Sequence, residues 1–221
     1  MTFRVDIHER LSQNDWFAGR SEALRRSLCE HGVLRQVLAG QWIYSQGDAL
    51  TGLCAVISGT LRLEVAEGND TDVLLKLGTS PRILGHARGY GGGPRMLTAR
   101  AQTDATLFMV SSEALDRIGA SSPRLWLDLN ELAYEQIGEL VGDLARFLVL
   151  PTKARVATIL LRNADGDTVF ATQSDIAEMC GLSRKVVAEH LAILEKTGAI
   201  KRSYGKVKLT DLRTLSTFSA A

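Results

Sequence analysis

The stretch from Thr172 to Leu191 limits what this chain can become more than any other. It reads as two short helices joined by a tight turn, the helix-turn-helix that lays its second helix in a DNA major groove. Thr172 is a good N-cap, and Asp175, three residues later, stands close to a capping-box position. Ala177 is small where two helices must cross closely. Gly181 stands where the turn needs a positive φ, which a residue with Cβ tolerates poorly. Ser183 caps the second helix. Val187, Leu191 and Leu194 recur at helical spacing and so point inward together. Arg184, Lys185, Ala188 and Glu189 share another face, polar apart from one small residue. An ordinary helical hairpin has no need to meet all these requirements at once.

The residues downstream fit. Lys196 to Ile200 closes the second helix and starts a strand. Lys201-Arg202-Ser203-Tyr204-Gly205-Lys206-Val207-Lys208-Leu209 then reads as a hairpin with a glycine in its turn, the wing of a winged helix. Five basic residues and no acid lie between Lys196 and Lys208. A charge run is usually a solvated face. Beside a candidate reading helix, phosphate contact explains it better. The net charge of +1 hides the asymmetry: residues 151–221 hold 11 Lys/Arg against 7 Asp/Glu, and residues 1–150 hold 15 against 18.

The 221 residues allow one large or two small domains, each with its own core. No apolar run approaches the ~18–20 residues of a membrane span. Met1 to Arg20 is mixed and polar, without a signal-peptide core, which places the chain in the cytoplasm. Cys29, Cys54 and Cys180 are scattered and odd in number, so neither a disulfide framework nor a CxxC metal site is expected. No nucleophile elbow, P-loop, HExxH or paired-carboxylate pattern points to an enzyme.

Leu11 to His31 reads as helical, with Trp16, Phe17, Leu24 and Leu28 as apolar points. From Leu38 the period changes to two. Turns at Gln46-Gly47-Asp48, Ser58-Gly59 and Glu67-Gly68-Asn69-Asp70 separate short strands, and Thr98 to Val110 supplies a further pair. Such strands predict an antiparallel sandwich or roll. Arg124 to Leu150 is a long helix without internal proline. Leu125, Leu129, Leu132, Gln136, Leu140, Phe147 and Leu148 lie on or near one stripe, which Ile137, Val141 and Leu144 broaden. The arc is wide, so a partner helix from a second copy is expected there. Pro151 ends the helix and is a candidate hinge. Thr152 to Asn163 is the next helix, and Asp165-Gly166-Asp167 leads into the helix-turn-helix.

The order of roll, long helix and winged helix resembles the Crp/Fnr superfamily of bacterial transcription regulators. The likeness covers nearly the whole chain. Its most specific parts are Thr172–Leu194, the Gly47-Asp48 and Ser58-Gly59 turns, and Gly85 followed by Pro94-Arg95. It implies an α+β chain with three parts. Residues 1–122 form a cyclic-nucleotide-binding-like antiparallel roll that senses an effector. Residues 123–150 form the dimerisation helix through Leu125, Leu129, Leu132, Gln136, Leu140, Leu144 and Phe147. Residues 151–221 form the winged-helix DNA-binding domain. It also implies a homodimer on a pseudo-palindromic operator with half-sites about 34–36 Å apart, acting on RNA polymerase. Arg184, Lys185 and Glu189 match the family's base-reading positions, with Ala188 on the same face. Thr172, Gln173 and Ser183 match phosphate-contacting positions, Ser174 beside them is a further DNA-binding candidate, and Lys201, Arg202 and Lys206 lie on the wing. His190 falls off the reading face.

The effector cassette departs from the cyclic-nucleotide pattern of Gly-Glu, about ten residues, then Arg-Ser/Thr-Ala. Here it runs from Gly85 to Ala99 and is one residue shorter. Arg95 matches the phosphate arginine, His86 replaces the acid and Met96 replaces the hydroxyl residue. The helix from Arg124 to Pro151 contains no Ser or Thr for a purine amino group. Each lost hydrogen bond costs ~1–3 kcal/mol, so tight binding of cyclic AMP is not expected. Arg88, Arg95 and His86 can form an anion site with the glycine-rich backbone. The alternative is a loose loop at Gly91-Gly92-Gly93 with Arg95 as a surface charge. No cysteine cluster supports an iron–sulfur centre, and no cofactor is indicated. A competing reading makes the chain a small-molecule sensor whose winged helix contacts protein. The lysines of the wing oppose it, since protein interface cores exclude lysine.

Overall fold

The computed structural model describes residues 2–49, 52–66, 72–85 and 93–219, with residues 2–6 as backbone alone. Three helices open the chain, α1 (Thr2–Leu11), α2 (Asp15–Ala18) and α3 (Glu22–His31), in place of one continuous stretch from Leu11 to His31. The breaks have a local cause. Asn14 accepts from the Phe17 N–H (3.2 Å) and Ser21 from the Leu24 N–H (3.3 Å), so each side chain starts a new helix. Trp16, Phe17, Leu24 and Leu28 are all buried.

The strands follow as β1 (Val33–Val37), β2 (Trp42–Tyr44), β3 (Leu53–Ser58), β4 (Thr60–Ala66), β5 (Asp72–Thr79), β6 (Ile83–Leu84), β7 (Thr98–Ala101) and β8 (Ala105–Val110). The first begins ahead of Leu38 because Gly32 is already extended. Two four-stranded sheets result, in the orders β1-β8-β3-β6 and β2-β7-β4-β5. Leu34 faces Phe108 and Cys54 faces Met109 in antiparallel register. This is the expected roll. Gly59 makes the sharp link from β3 to β4 at φ +82, and a Cβ there would stand 2.3 Å from the Asp104 carbonyl oxygen. Four helices and three strands complete the chain after α4 (Ser112–Ser121) and α5 (Arg124–Val149): α6 (Thr152–Arg162), β9 (Thr168–Val169), α7 (Gln173–Cys180), α8 (Arg184–Lys196), β10 (Ile200–Ser203), β11 (Lys206–Leu209) and α9 (Leu212–Ser219).

The chain divides into two units. One comprises residues 1–61 and 78–139, the other residues 62–77 and 140–221. The core of the first gathers Leu11, Trp16, Phe17, Leu28, Phe108, Leu115, Leu125, Leu129 and Leu132. The Trp16 indole N–H donates to the Asp128 carbonyl, and Arg20 pairs with Asp128 (2.6 Å) and Glu131 (2.7 Å). The core of the second gathers Val156, Leu160, Ile176, Val187, Leu191, Leu194, Ile200, Val207, Leu209 and Leu215, together with Leu74 and Leu77 from β5.

The long helix corrects the expected stripe. Leu125, Leu129 and Leu132 are buried in the core of their own unit and present no surface to a partner. Gln136 is also engaged, donating to the Ile83 carbonyl (3.1 Å). Leu140, Leu144 and Phe147 remain exposed. So do Leu127, Tyr134, Ile137, Val141 and Leu148. From Tyr134 these fall at alternating steps of three and four, through Ile137, Val141, Leu144 and Leu148. That is the seam spacing of a coiled coil.

Candidate nucleic-acid interface

The helix-turn-helix is built from local rules met in full. The Thr172 hydroxyl accepts from the Asp175 N–H (3.1 Å), and the Asp175 carboxylate accepts from the Thr172 N–H (2.7 Å), a complete capping box. At the other end of α7, Gly181 is left-handed (φ 60, ψ 41). Its N–H reaches the Glu178 carbonyl, and the Leu182 N–H reaches Ala177, each at 3.0 Å. This paired closure turns the chain sharply, and only glycine adopts it without strain. Ser183 then accepts from the Val186 N–H (3.3 Å) and starts α8.

Along α8, Val187, Leu191 and Leu194 are fully buried. Arg184, Lys185 and Glu189 are exposed and Ala188 is half-buried, as the spacing predicts. Arg184, Lys185 and Glu189 make no ion pair among the described residues. The N-terminus of α7 lies beside them, and its free N–H groups and dipole favour a phosphate. His190 is tied to the Thr152 hydroxyl (2.9 Å) and braces α8 against α6.

The wing is the β10–β11 hairpin, with Tyr204 and Gly205 at its tip and Tyr204 fully exposed. β9, which the sequence reading missed, pairs with β11 and makes a third strand. Lys201 stands opposite Lys208, whose ammonium pairs with Asp167 (3.2 Å). A groove of about 350 Å3 runs between the wing and the helices, lined by Thr172, Gln173, Ser174, Arg184, Arg202 and Tyr204 among others. Residues 30 positions apart in sequence thus meet on one surface.

Two charged contacts lay outside the reach of sequence reasoning. Arg202 is clasped by Glu195, which accepts from its Nε and its backbone N–H, both at 2.8 Å. These bonds from Arg202 hold the Glu195 carboxyl below the usual carboxylate range. Arg202 is therefore an internal brace of the wing before it is a phosphate contact. Lys206 makes no ion pair among the described residues. On α7, Asp175 also receives Arg62 of β4, which pairs in addition with Glu64 (2.7 Å). Burial pushes the Asp175 carboxyl up. The bonds from Arg62 and Thr172 outweigh it and hold the group low. Arg62 is 113 residues away, and no local signal marks it.

Of the effector candidates, His86 and Arg88 lie outside the described residues. Gly85 is left-handed at φ +87. Arg95 is not a surface charge: it is 4% exposed, donates to the Gly52 carbonyl (3.1 Å) and lies 4.1 Å over the Tyr44 ring. Burial pushes the Tyr44 hydroxyl up to about 12 against the opposing pull of Arg95. Met96, by contrast, is 70% exposed.

Residues 34–122 match the cyclic nucleotide-binding domain family, and residues 154–218 match the Crp-like helix-turn-helix domain. The chain belongs to the Crp/Fnr superfamily. Within it, the transcriptional regulator SdrP of Thermus thermophilus is 26% identical over 169 residues, spanning 72% of this chain and 80% of its own. The CRP-like cAMP-activated global transcriptional regulator of Mycobacterium tuberculosis is 23% identical over 187 residues, spanning 80% and 84%. The structure of FixK2 from Bradyrhizobium japonicum superposes with a TM-score of 0.73 over 86% of this chain and 98% of its own. At 17% identity it shows the shared Crp/Fnr fold. The protein is a Crp/Fnr-type transcription regulator that binds DNA, and not an enzyme. No helix among the described residues is long and apolar enough to cross a membrane.

Proposed function

We propose that this regulator reads a pseudo-palindromic operator in the cytoplasm as a homodimer. Two copies pair through the exposed row of α5, and each lays α8 in a major groove. Arg184 takes a guanine edge bidentately, Lys185 acts as a point charge, and Glu189 accepts from cytosine. Thr172, Gln173, Ser174 and Ser183 hold phosphates at the helix termini. Lys201 and Lys206 do so from the wing, and Arg202 stiffens it. The bound dimer acts on RNA polymerase. The effector is a ligand other than cyclic AMP, or none is required, because the acid and hydroxyl partners of a cyclic nucleotide are replaced by His86 and Met96.

The observation that carries this reading is the placement of Arg184. It is the first residue of α8, exposed and without an ion pair among the described residues, in the groove it shares with the N-terminus of α7 and the wing. Arg184→Ala is expected to cost about 1–3 kcal/mol at the selected operator, a loss of roughly 5- to 150-fold, and to leave random duplex binding unchanged. Competition binding at one fixed salt concentration measures both. An equal loss on every DNA sequence would reduce Arg184 to a phosphate contact and overturn its role in reading bases.

A further inference from the structure

The second unit contains a cavity unrelated to the nucleotide position in the roll. It lies between β5, the last turns of α5, α6 and Met179 of α7, and holds about 230 Å3. Its walls are largely apolar, with Leu75, Ile159 and Met179 among them. Its charged residues are unbalanced. Arg146, Arg155 and Arg162 share one acid of the lining, Asp143, which pairs with Arg146 (2.9 Å) and Arg162 (2.9 Å) and also meets Lys76 (3.8 Å). Arg155 has no acid among the described residues. Its two terminal nitrogens donate to the Cys180 (3.0 Å) and Leu150 (3.3 Å) carbonyls, and its guanidinium lies 4.4 Å over the Phe147 ring.

Three polar atoms of these lining residues are buried without a hydrogen-bond partner among the described residues: Arg146 Nε, Arg155 Nε and Thr158 Oγ1. Buried polar groups are seldom left so, and three around one cavity call for an explanation. A few convergent donors in an apolar concavity is the usual make-up of a small-molecule site. The Arg146 and Arg162 side chains keep 38% and 33% of their surface exposed, so the site opens to water on that side, and an anion that brings its own acceptors adds charge-assisted hydrogen bonds to part-buried guanidinium groups.

We propose that this cavity binds a small amphipathic carboxylate. The carboxylate meets the spare N–H groups of Arg146 and Arg155 and the Thr158 hydroxyl. The hydrocarbon part lies on Leu75, Ile159 and Met179. Size sets the class: a cavity of ~150 Å3 accepts a benzene, and drug-sized ligands need upward of ~300 Å3. One ring or one short chain therefore fits, and a nucleotide does not. A doubly charged phosphate would bring more hydration than these walls can replace. The site stands apart from the DNA reading and does not depend on it.

Titration calorimetry on the full chain tests this, with octanoate as probe and octanamide as its neutral match. Octanoate is expected to saturate one site per chain and to bind at least tenfold more tightly than octanamide. Thr158→Val, which keeps shape and removes the hydroxyl, is expected to weaken octanoate several-fold. Met179→Trp, which fills the cavity, is expected to abolish binding. Matching thermal melts establish that each variant is folded, and Thr158→Val alone decides the matter should Met179→Trp fail to fold. Arg95→Met is expected to leave octanoate binding unchanged. Equal affinity for acid and amide, no saturable binding at millimolar octanoate, or loss of binding in Arg95→Met with Thr158→Val unaffected would each overturn the proposal.

Discussion

Val141→Glu is expected to convert the proposed dimer to monomers, weakening self-association by a thousandfold or more. Val141 occupies the middle of the row Tyr134, Ile137, Val141, Leu144 and Leu148, all exposed on α5. A two-fold axis along such a seam brings each residue near its own copy. The substitution therefore buries two like charges against each other, and an unpaired buried charge costs about 3–5 kcal/mol. Because a palindromic operator needs both reading helices, operator affinity is expected to fall in parallel. Sedimentation velocity on the variant checks the first effect. An unchanged sedimentation coefficient would move the dimer contact off this face. Leu129→Glu is no substitute for the test, because Leu129 is buried in the core of its own unit and its loss would unfold the protein first.

Asp175→Ala is expected to lower the unfolding free energy by about 2–4 kcal/mol. Two losses combine. The Thr172 N–H loses its acceptor, which is worth about 0.5–2 kcal/mol in helix caps. Arg62 loses a buried partner, with Glu64 left to compensate in part. Asp175→Asn keeps an acceptor for Thr172 and is expected to cost about half as much. The pH dependence fixes the cause. The Asp175 carboxyl is held below its ordinary value in the folded chain, so its contribution is complete above about pH 4–5. It is lost as pH falls through the lowered folded value. Urea unfolding at pH 7 should therefore separate the parent from Asp175→Ala, and the gap should close as the solution is made strongly acidic. A gap of equal size at pH 7 and at pH 3 or below would rule out the charge as its source.

The helix-turn-helix was legible because its determinants are local. Thr172 and Asp175 are three residues apart, Gly181 sets its own φ, and Val187, Leu191 and Leu194 share one face of one helix. The roll was legible in kind, since glycine turns and period-two runs announce short strands. α5 was harder. Two apolar rows wind along it, one through Leu125, Leu129 and Leu132 and one through Tyr134, Ile137 and Val141. Periodicity finds both and cannot tell which is covered. Only the packing of Trp16, Phe17 and Leu115 onto the first row decides it. The burial of Arg95 depends likewise on Tyr44 and Gly52, which no spacing connects to it. The Arg62–Asp175 pair joins a roll strand to a reading-domain cap across 113 positions, a pairing that sequence carries no trace of.

The neighbouring strands β4 and β5 carry a lesson for anyone wishing to excise the reading head. Leu74 and Leu77 are wholly enclosed among the C-terminal helices, the Leu77 N–H donates to Asn163, and Arg62 secures the start of α7. A gene fragment cut at Pro151 would leave those hydrophobic neighbours wet and that acid without its guanidinium. The portable module is discontinuous, and a chimaera that keeps it intact must borrow from both halves of the coding sequence.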